Sequence, residues 1–415
     1  MQIGLRRIAS LLAATTLVAS SGWLAPVSAR AAVMDNDVLG AIRVGKSAAL
    51  RAQAPDLSIP SGILMTMDGR VLWARDPDAR RAMASTTKIM TAVVALEKAG
   101  VEGTVTVDKT AAMVGQSSMG LVQGETFTMG ELLKGVLVQS GNDAATLVAE
   151  HVGGSVSAFV AMMNAKAAAL DLTNTHYANP HGLDQAGHYT SAADLAALAR
   201  YAMRIPVFRE IVGTYKVNVR SDRYTHVLQS HNDLLKSYAG SEGIKTGWTN
   251  NAGYCVVVAV KRGDIELLGV VMGAASEGDR SKQAKRLLDW GFAHYKPVEV
   301  TTSGRSYGTV PVSDYVDVGV TAVNAEATSL AVLDAAGPIE SRVEMLASVR
   351  APVRTGDRVG TLNIYQGPSL LAQLPLTADH DVRAPNLLEA VGIFFIRLWN
   401  GISSFFTGLW RAIFG

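Results

Sequence analysis

Three short polar motifs lie far apart along the chain: Ser85-Thr-Thr-Lys88, Ser140-Gly-Asn142 and Lys245-Thr-Gly247. If they act together, the fold must bring a helix start, a loop between helices and a strand to one place, and few architectures do that. On a helix, Ser85 and Lys88 share a face. A serine hydroxyl is a weak nucleophile that needs a base beside it. A lysine serves as that base only if its pKa falls, which burial and a neighbouring cation both bring about. Asn142 offers donors and an acceptor suited to a peptide amide, and Ser140 can relay a proton. Lys245 and Thr246, entering a strand, can bind a carboxylate, and Gly247 lets a substrate backbone approach. Taken singly, each motif also has an ordinary reading: a capping serine with a surface lysine, a turn, and a turn before a strand.

The patterning around the motifs supplies those elements. Met90–Lys98, Met129–Val138 and Ala144–Val152 read as helices. Another helix is expected from Thr190-Ser191, with Asp194 placed to complete a capping pair. Strands are expected at Gly62–Met67, Arg70–Ala74, Gly253–Lys261 and Leu267–Val271, the last two joined by a turn at Lys261–Asp264. Helices mixed with antiparallel strands predict an α+β domain with αβα layers over residues 32–296. From 297 to 382, valine and threonine alternate with polar residues, as in Tyr315–Val323, which predicts a small all-β domain.

The two ends carry addresses. Arg6 and Arg7 precede the apolar run Ile8–Ser20, and small residues follow around Ala29 and Ala31. That predicts a secretory signal peptide over 1–31, the apolar run being short of the ~20 residues a spanning helix needs. In 383–415, Leu387, Val391, Phe394, Leu398, Ile402, Phe405, Leu409 and Ile413 recur at helical spacing, with Arg397, Asn400, Ser404, Thr407 and Arg411 opposite. Arg397 and Arg411 bracket only 13 residues, so an amphipathic helix lying in a membrane interface is expected, with packing on its own domain as the alternative. Near-balanced charge, 38 basic against 36 acidic residues, gives no electrostatic reason to expect nucleic acid. The single cysteine, Cys255, rules out an intrachain disulfide and reads as a small apolar core residue.

The order Ser-x-x-Lys, Ser-x-Asn, Lys-Thr-Gly is the signature of penicillin-binding proteins and class A β-lactamases. Ala84–Thr91, Gln139–Ala145, Asn179–Asp184, Glu242–Thr249 and Arg280–Gly291 extend the match, and over about 35–415 the chain resembles the low-molecular-mass penicillin-binding D-alanyl-D-alanine carboxypeptidases. The resemblance implies a penicillin-recognising catalytic domain, a β-rich domain and a membrane-anchoring tail on the outer, periplasmic face of the cytoplasmic membrane. It implies that Ser85 attacks the bond between the last two D-alanines of a peptidoglycan stem peptide, with Lys88 as general base. Ser140 and Lys245 would pass a proton to the leaving amine, and Asn142 would hold the substrate amide. Thr246 and Arg280 would bind the terminal carboxylate beside Gly247, and the backbone N–H groups of Ser85 and Trp248 would form the oxyanion hole. β-Lactams would acylate Ser85, and no metal or organic cofactor is implied. His181 and His188, flanking Asp184, read as loop structure. The rivals are a D,D-endopeptidase of cross-linked peptidoglycan, a β-lactamase and a non-catalytic wall-binding relic. A β-lactamase would need a deacylating glutamate, and Thr173–Thr190 contains none.

Overall fold

The computed structural model describes residues 55–414; the expected signal peptide lies outside them. The chain begins with the antiparallel pair β1 (Ser61–Thr66) and β2 (Val71–Arg75). A single 3-10 turn at Ala84–Thr87 then leads directly into α1 (Lys88–Lys98). A helical body follows: α2 (Lys109–Ala112) and α3 (Met129–Leu137) alternate with the short strands β3 (Thr104–Thr106) and β4 (Thr126–Thr128), then come α4 (Asn142–Gly153), α5 (Val156–Ala169), α6 (Ala192–Ala202) and α7 (Pro206–Val212). A hairpin of β5 (Lys216–Arg220) and β6 (Thr225–Gln229) and the short α8 (Leu234–Ser237) precede three long strands, β7 (Ser241–Thr249), β8 (Gly253–Arg262) and β9 (Ile265–Ala274).

The main sheet runs β2-β1-β9-β8-β7, with every neighbouring pair antiparallel. Its period-2 alternation divides two cores. Ile63, Met65, Cys255, Val257, Ala259, Leu268 and Val270 face the helical body. Leu64, Val256, Val258, Val260, Leu267 and Val271 face Leu287, Leu288 and Trp290 of α9 (Glu277–His294). The expected αβα layering is this arrangement. Fully burying one such side chain stabilises by about 1.5–3 kcal/mol, so both faces of the sheet hold it in place. Cys255 is in the core, as expected, and burial pushes its thiol up to about 11.

β10 (Tyr295–Thr301) continues from α9 without a linker. The β-rich part adds β11 (Ser306–Pro311), β12 (Gly319–Val323), β13 (Thr328–Leu333), β14 (Ile339–Met345), β15 (Arg358–Gln366) and β16 (Ser369–Ala378). β10 pairs with β13, and a five-stranded sheet runs β11-β12-β16-β15-β14 over its own core of Val310, Val320, Val359, Leu362, Ile364 and Leu376. Tyr295 and Leu333 pack into the α9 side of the catalytic core, so the two parts share apolar contacts. Last comes α10 (Leu387–Phe414). Arg397 donates to the carbonyls of Ser313 and Tyr315, while Leu387, Leu388, Phe394, Phe395 and Trp399 stand exposed. Among the described residues, no single helix is long and apolar enough to cross a membrane.

Local chemistry explains the helix starts. Ser191 Oγ accepts from Asp194 N at 3.1 Å, as the sequence predicts. The reciprocal half of the pair is not made. The Asp194 carboxylate instead accepts from Asn174 N at 2.8 Å and Thr175 Oγ1 at 2.7 Å, so it ties down the preceding loop.

Candidate active site

The first motif sits on the 3-10 turn rather than inside a regular α-helix. Ala84 has φ +48°, a left-handed conformation rare for alanine. The tight turn brings Ser85 Oγ to 2.9 Å from Lys88 Nζ. The segment Asn179–Asp184 runs against this turn, where a Cβ on Gly182 would lie 2.0 Å from the Ala84 carbonyl oxygen. Gly182 also has φ +94°, so both space and backbone demand glycine.

Lys88 is fully buried. Besides Ser85, its Nζ meets Asn142 Oδ1 at 2.7 Å and the His181 carbonyl at 2.6 Å. A neutral amine has two N–H groups and one lone pair. In the neutral form, the two oxygens that can only accept would take the two N–H groups, leaving the lone pair for the Ser85 hydroxyl. The Asn142 amide orientation is fixed independently, because its Nδ2 donates to Gly115 O at 3.1 Å. Burial first, and the Lys245 ammonium second, hold the Lys88 pKa well below the ordinary lysine range; Asp143 opposes them. Three oxygens around Nζ suit a charged or a neutral lysine alike, and it is burial with the Lys245 charge that favours the neutral form.

Lys245 is buried in edge strand β7, its Nζ 3.2 Å from Thr246 O. Burial and then Arg280 bring its pKa down to about 7. Lys245 thus lies within charge reach of both Lys88 and Arg280, the latter paired with Glu277 at 3.1 Å and Asp233 at 3.6 Å. Arg280, at the start of α9 and 3% exposed, donates to His231 O at 3.3 Å and to Glu277 Oε1 at 3.1 Å. Gly247 lies hard against the Ser85 turn: a Cβ there would be 2.8 Å from Ser85 N and 3.1 Å from Thr86 N. Thr246 is buried, while the Trp248 side chain is 53% exposed and packs on Tyr254, its cross-strand partner.

Ser140 is buried and has φ +64°, a second left-handed non-glycine position. One residue beyond the motif lies Asp143, which the sequence reading did not single out. Its buried carboxylate accepts from Ser118 Oγ at 2.6 Å and from Met119, Gly120 and Leu121 N at 3.0, 3.1 and 3.2 Å. With Asn142 N donating to Ser117 O at 2.7 Å, this clasp locks the 117–121 loop to the second motif. An acidic residue in the first turn of a helix was the available signal.

The histidines behave as loop structure. His188 Nδ1 accepts from Ala178 N at 3.0 Å, so Nε2 donates to Thr87 Oγ1 at 2.8 Å, and Thr87 in turn donates to Ala84 O at 2.7 Å. That chain props the Ala84–Thr87 turn. His181 contributes its carbonyl, not its ring, to Lys88. Asp184 Oδ1 accepts from Thr249 Oγ1 at 2.7 Å and joins the same segment to β7. All the motif residues read from the sequence except the Trp248 side chain and Ser85 are thus buried around one site, with Ser85 at its surface.

Comparison with known proteins agrees with this geometry. Residues 48–276 match the model of the Peptidase S11 family, D-alanyl-D-alanine carboxypeptidase, and residues 295–384 match that of the penicillin-binding protein 5 C-terminal domain. D-alanyl-D-alanine carboxypeptidase DacF of Bacillus subtilis is 32% identical over 332 residues, covering 78% of this chain and 85% of that protein. Among solved structures, the D-alanyl-D-alanine carboxypeptidase DacD from Francisella tularensis superposes with a TM-score of 0.62 at 26% identity, covering 82% of this chain and 97% of that one. Penicillin-binding protein 5 from Haemophilus influenzae gives 0.61 at 28% identity, covering 79% and 98%. With the motifs, the fold and both domain matches in agreement, the chain belongs to the S11 family of serine D-alanyl-D-alanine carboxypeptidases.

Proposed function

We propose that the chain removes the terminal D-alanine from peptidoglycan stem peptides through an acyl-enzyme on Ser85. The observation that carries this reading is the Lys88 environment: a fully buried amine, its pKa lowered, with Nζ 2.9 Å from Ser85 Oγ. Ser85 Oγ attacks the carbonyl carbon between the two D-alanines as its proton passes to Lys88 Nζ. The Ser85 and Trp248 backbone N–H groups receive the charge that develops on the carbonyl oxygen. Collapse breaks the C–N bond, and the departing amine takes a proton by way of Ser140 and Lys245. Asn142 holds the substrate amide, and Thr246 with Arg280 takes the terminal carboxylate. Water then attacks the ester, giving the shortened peptide and restoring the Ser85 hydroxyl.

In this reading residues 32–296 form the catalytic domain, 297–382 the β-rich domain and 383–415 the anchor. The exposed apolar residues of α10 rest on the outer face of the cytoplasmic membrane, after export directed by residues 1–31. A protein lacking 386–415 should then leave the membrane fraction. β-Lactams, which share the D-Ala-D-Ala end's shape and carboxylate, acylate the same serine. The test is to label the protein with penicillin and find the adduct by peptide mass. It should lie on Ser85 and vanish in Ser85→Ala; an adduct on another residue would overturn the assignment.

A further inference from the structure

Strand β14 closes one end of the five-stranded sheet, bonded to β15 and to no other strand. Every residue from Glu340 to Met345 is exposed. The backbone phase can be read from Leu346, whose N–H donates to Val359 O at 3.0 Å in the same register as the strand pair. The even-numbered residues therefore bond to β15. Ile339, Ser341 and Val343 turn their N–H and C=O groups to the open edge. An open edge is a template for another strand, and natural proteins usually blunt it with charge.

Here the charges favour a second copy. Place a two-fold axis at Ser341. Ser341 then faces Ser341 of the partner copy, and Ile339 faces Val343 in both directions. All three are hydrogen-bonded pairs, about six N–H···O=C bonds in total. Glu340 faces Arg342, also in both directions, in the closer non-hydrogen-bonded positions where opposite charges attract most. Both side chains are more than half exposed; they pair with each other at 3.4 Å, and Arg342 also lies over the Tyr365 ring, 4.5 Å from its centroid. Half-exposed Ile339 and exposed Val343 would be covered together. Met345, which packs over Gly308 at the corner where the sheet curls towards β11, stays outside this register.

We propose that β14 is a self-recognition edge, and that two copies of this chain pair there antiparallel with Ser341 on the two-fold axis. The pairing lies in the β-rich part, so it does not depend on the catalytic reading.

The test uses the full chain in detergent with Ser341→Cys, since the sole native cysteine, Cys255, is buried. Partners in a hydrogen-bonded pair sit about 5.5 Å apart between Cα atoms, within disulfide reach. Mild oxidation should give a covalent dimer. Ser306→Cys, on the opposite edge strand β11, should give at least tenfold less. Adding Glu340→Arg to Ser341→Cys should cut cross-linking about tenfold, and adding Arg342→Glu as well should restore it. Penicillin labelling checks that every variant is folded. Equal cross-linking at positions 341 and 306, or indifference to the charge reversal and its swap, would overturn the proposal, as would absence of a dimer in folded Ser341→Cys protein.

Discussion

Replacing Asn142 with Asp tests the protonation state of Lys88 directly. The change is nearly isosteric and sets a carboxylate oxygen where Oδ1 now lies, 2.7 Å from Nζ. At an effective dielectric of about 20, two unit charges at that distance attract by roughly 6 kcal/mol. Part of this offsets the desolvation of the new carboxylate. A net rise in the Lys88 pKa remains, because an opposite charge in contact favours the ammonium. Raising the pKa of a base moves its neutral form to higher pH. At pH values below the raised pKa the neutral fraction, and with it the acylation rate, should fall about tenfold for each pH unit. The assay is the first-order rate of Ser85 acylation by a fluorescent penicillin, saturating, measured against pH. The acid limb of the Asn142→Asp profile should move up by about 1–3 pH units, with rates recovering at high pH. Asn142→Ala loses the substrate contact but adds no charge, so its limb should not move upward. A slow Asn142→Asp enzyme whose limb coincides with the wild type would refute the neutral-lysine reasoning, whatever the size of the loss.

Three further outcomes follow from other parts of the site. Gly247→Ala puts a Cβ 2.8 Å from Ser85 N and should cost about 100–1,000-fold in acylation, the scale of losing one oxyanion donor, with an unchanged circular dichroism spectrum. Asp143→Asn keeps the shape but removes the charge that gathers four donors of the 118–121 segment; urea denaturation should show about 2–3 kcal/mol less stability. His188 binds its proton only near pH 4 because burial disfavours the charged ring, whereas an unfolded histidine binds it near ~6.5. Between these values the unfolded chain holds more protons, so stability falls as pH drops from about 6.5 towards 4, by up to about 3 kcal/mol at 1.36 kcal/mol per unit. His188→Gln should flatten that slope in urea midpoints taken across the range.

Much of the fold was legible where periodicity is strong. β1, β8, β9 and the helices from Lys88, Met129 and Ser191 lie close to their expected bounds, because period-2 and period-3.6 burial is written in residue type. The 3-10 turn at Ala84–Thr87 was not, since left-handed alanine follows from tertiary pressure by the Asn179–Asp184 segment and not from local propensity. The β5–β6 hairpin escaped for a similar reason: its turn, Ser221–Tyr224, lacks glycine and proline. It is held instead by Ser221 Oγ and His226 Nε2 on buried Glu125, at 2.8 and 2.9 Å. In the site, the motif side chains could be named from sequence because their chemistry is intrinsic to residue type. The His181 carbonyl could not, because any residue supplies a carbonyl and only the fold aims it at Lys88.

The central claim is that Ser85, activated by Lys88, releases a terminal D-alanine. The most direct measurement is free D-alanine liberated from a stem-like peptide ending in D-Ala-D-Ala, with and without penicillin, for the wild type and Ser85→Ala. The account expects penicillin-sensitive release that is absent from Ser85→Ala. Release that persists in Ser85→Ala, or a folded wild type that takes up penicillin on Ser85 yet frees no D-alanine, would contradict it.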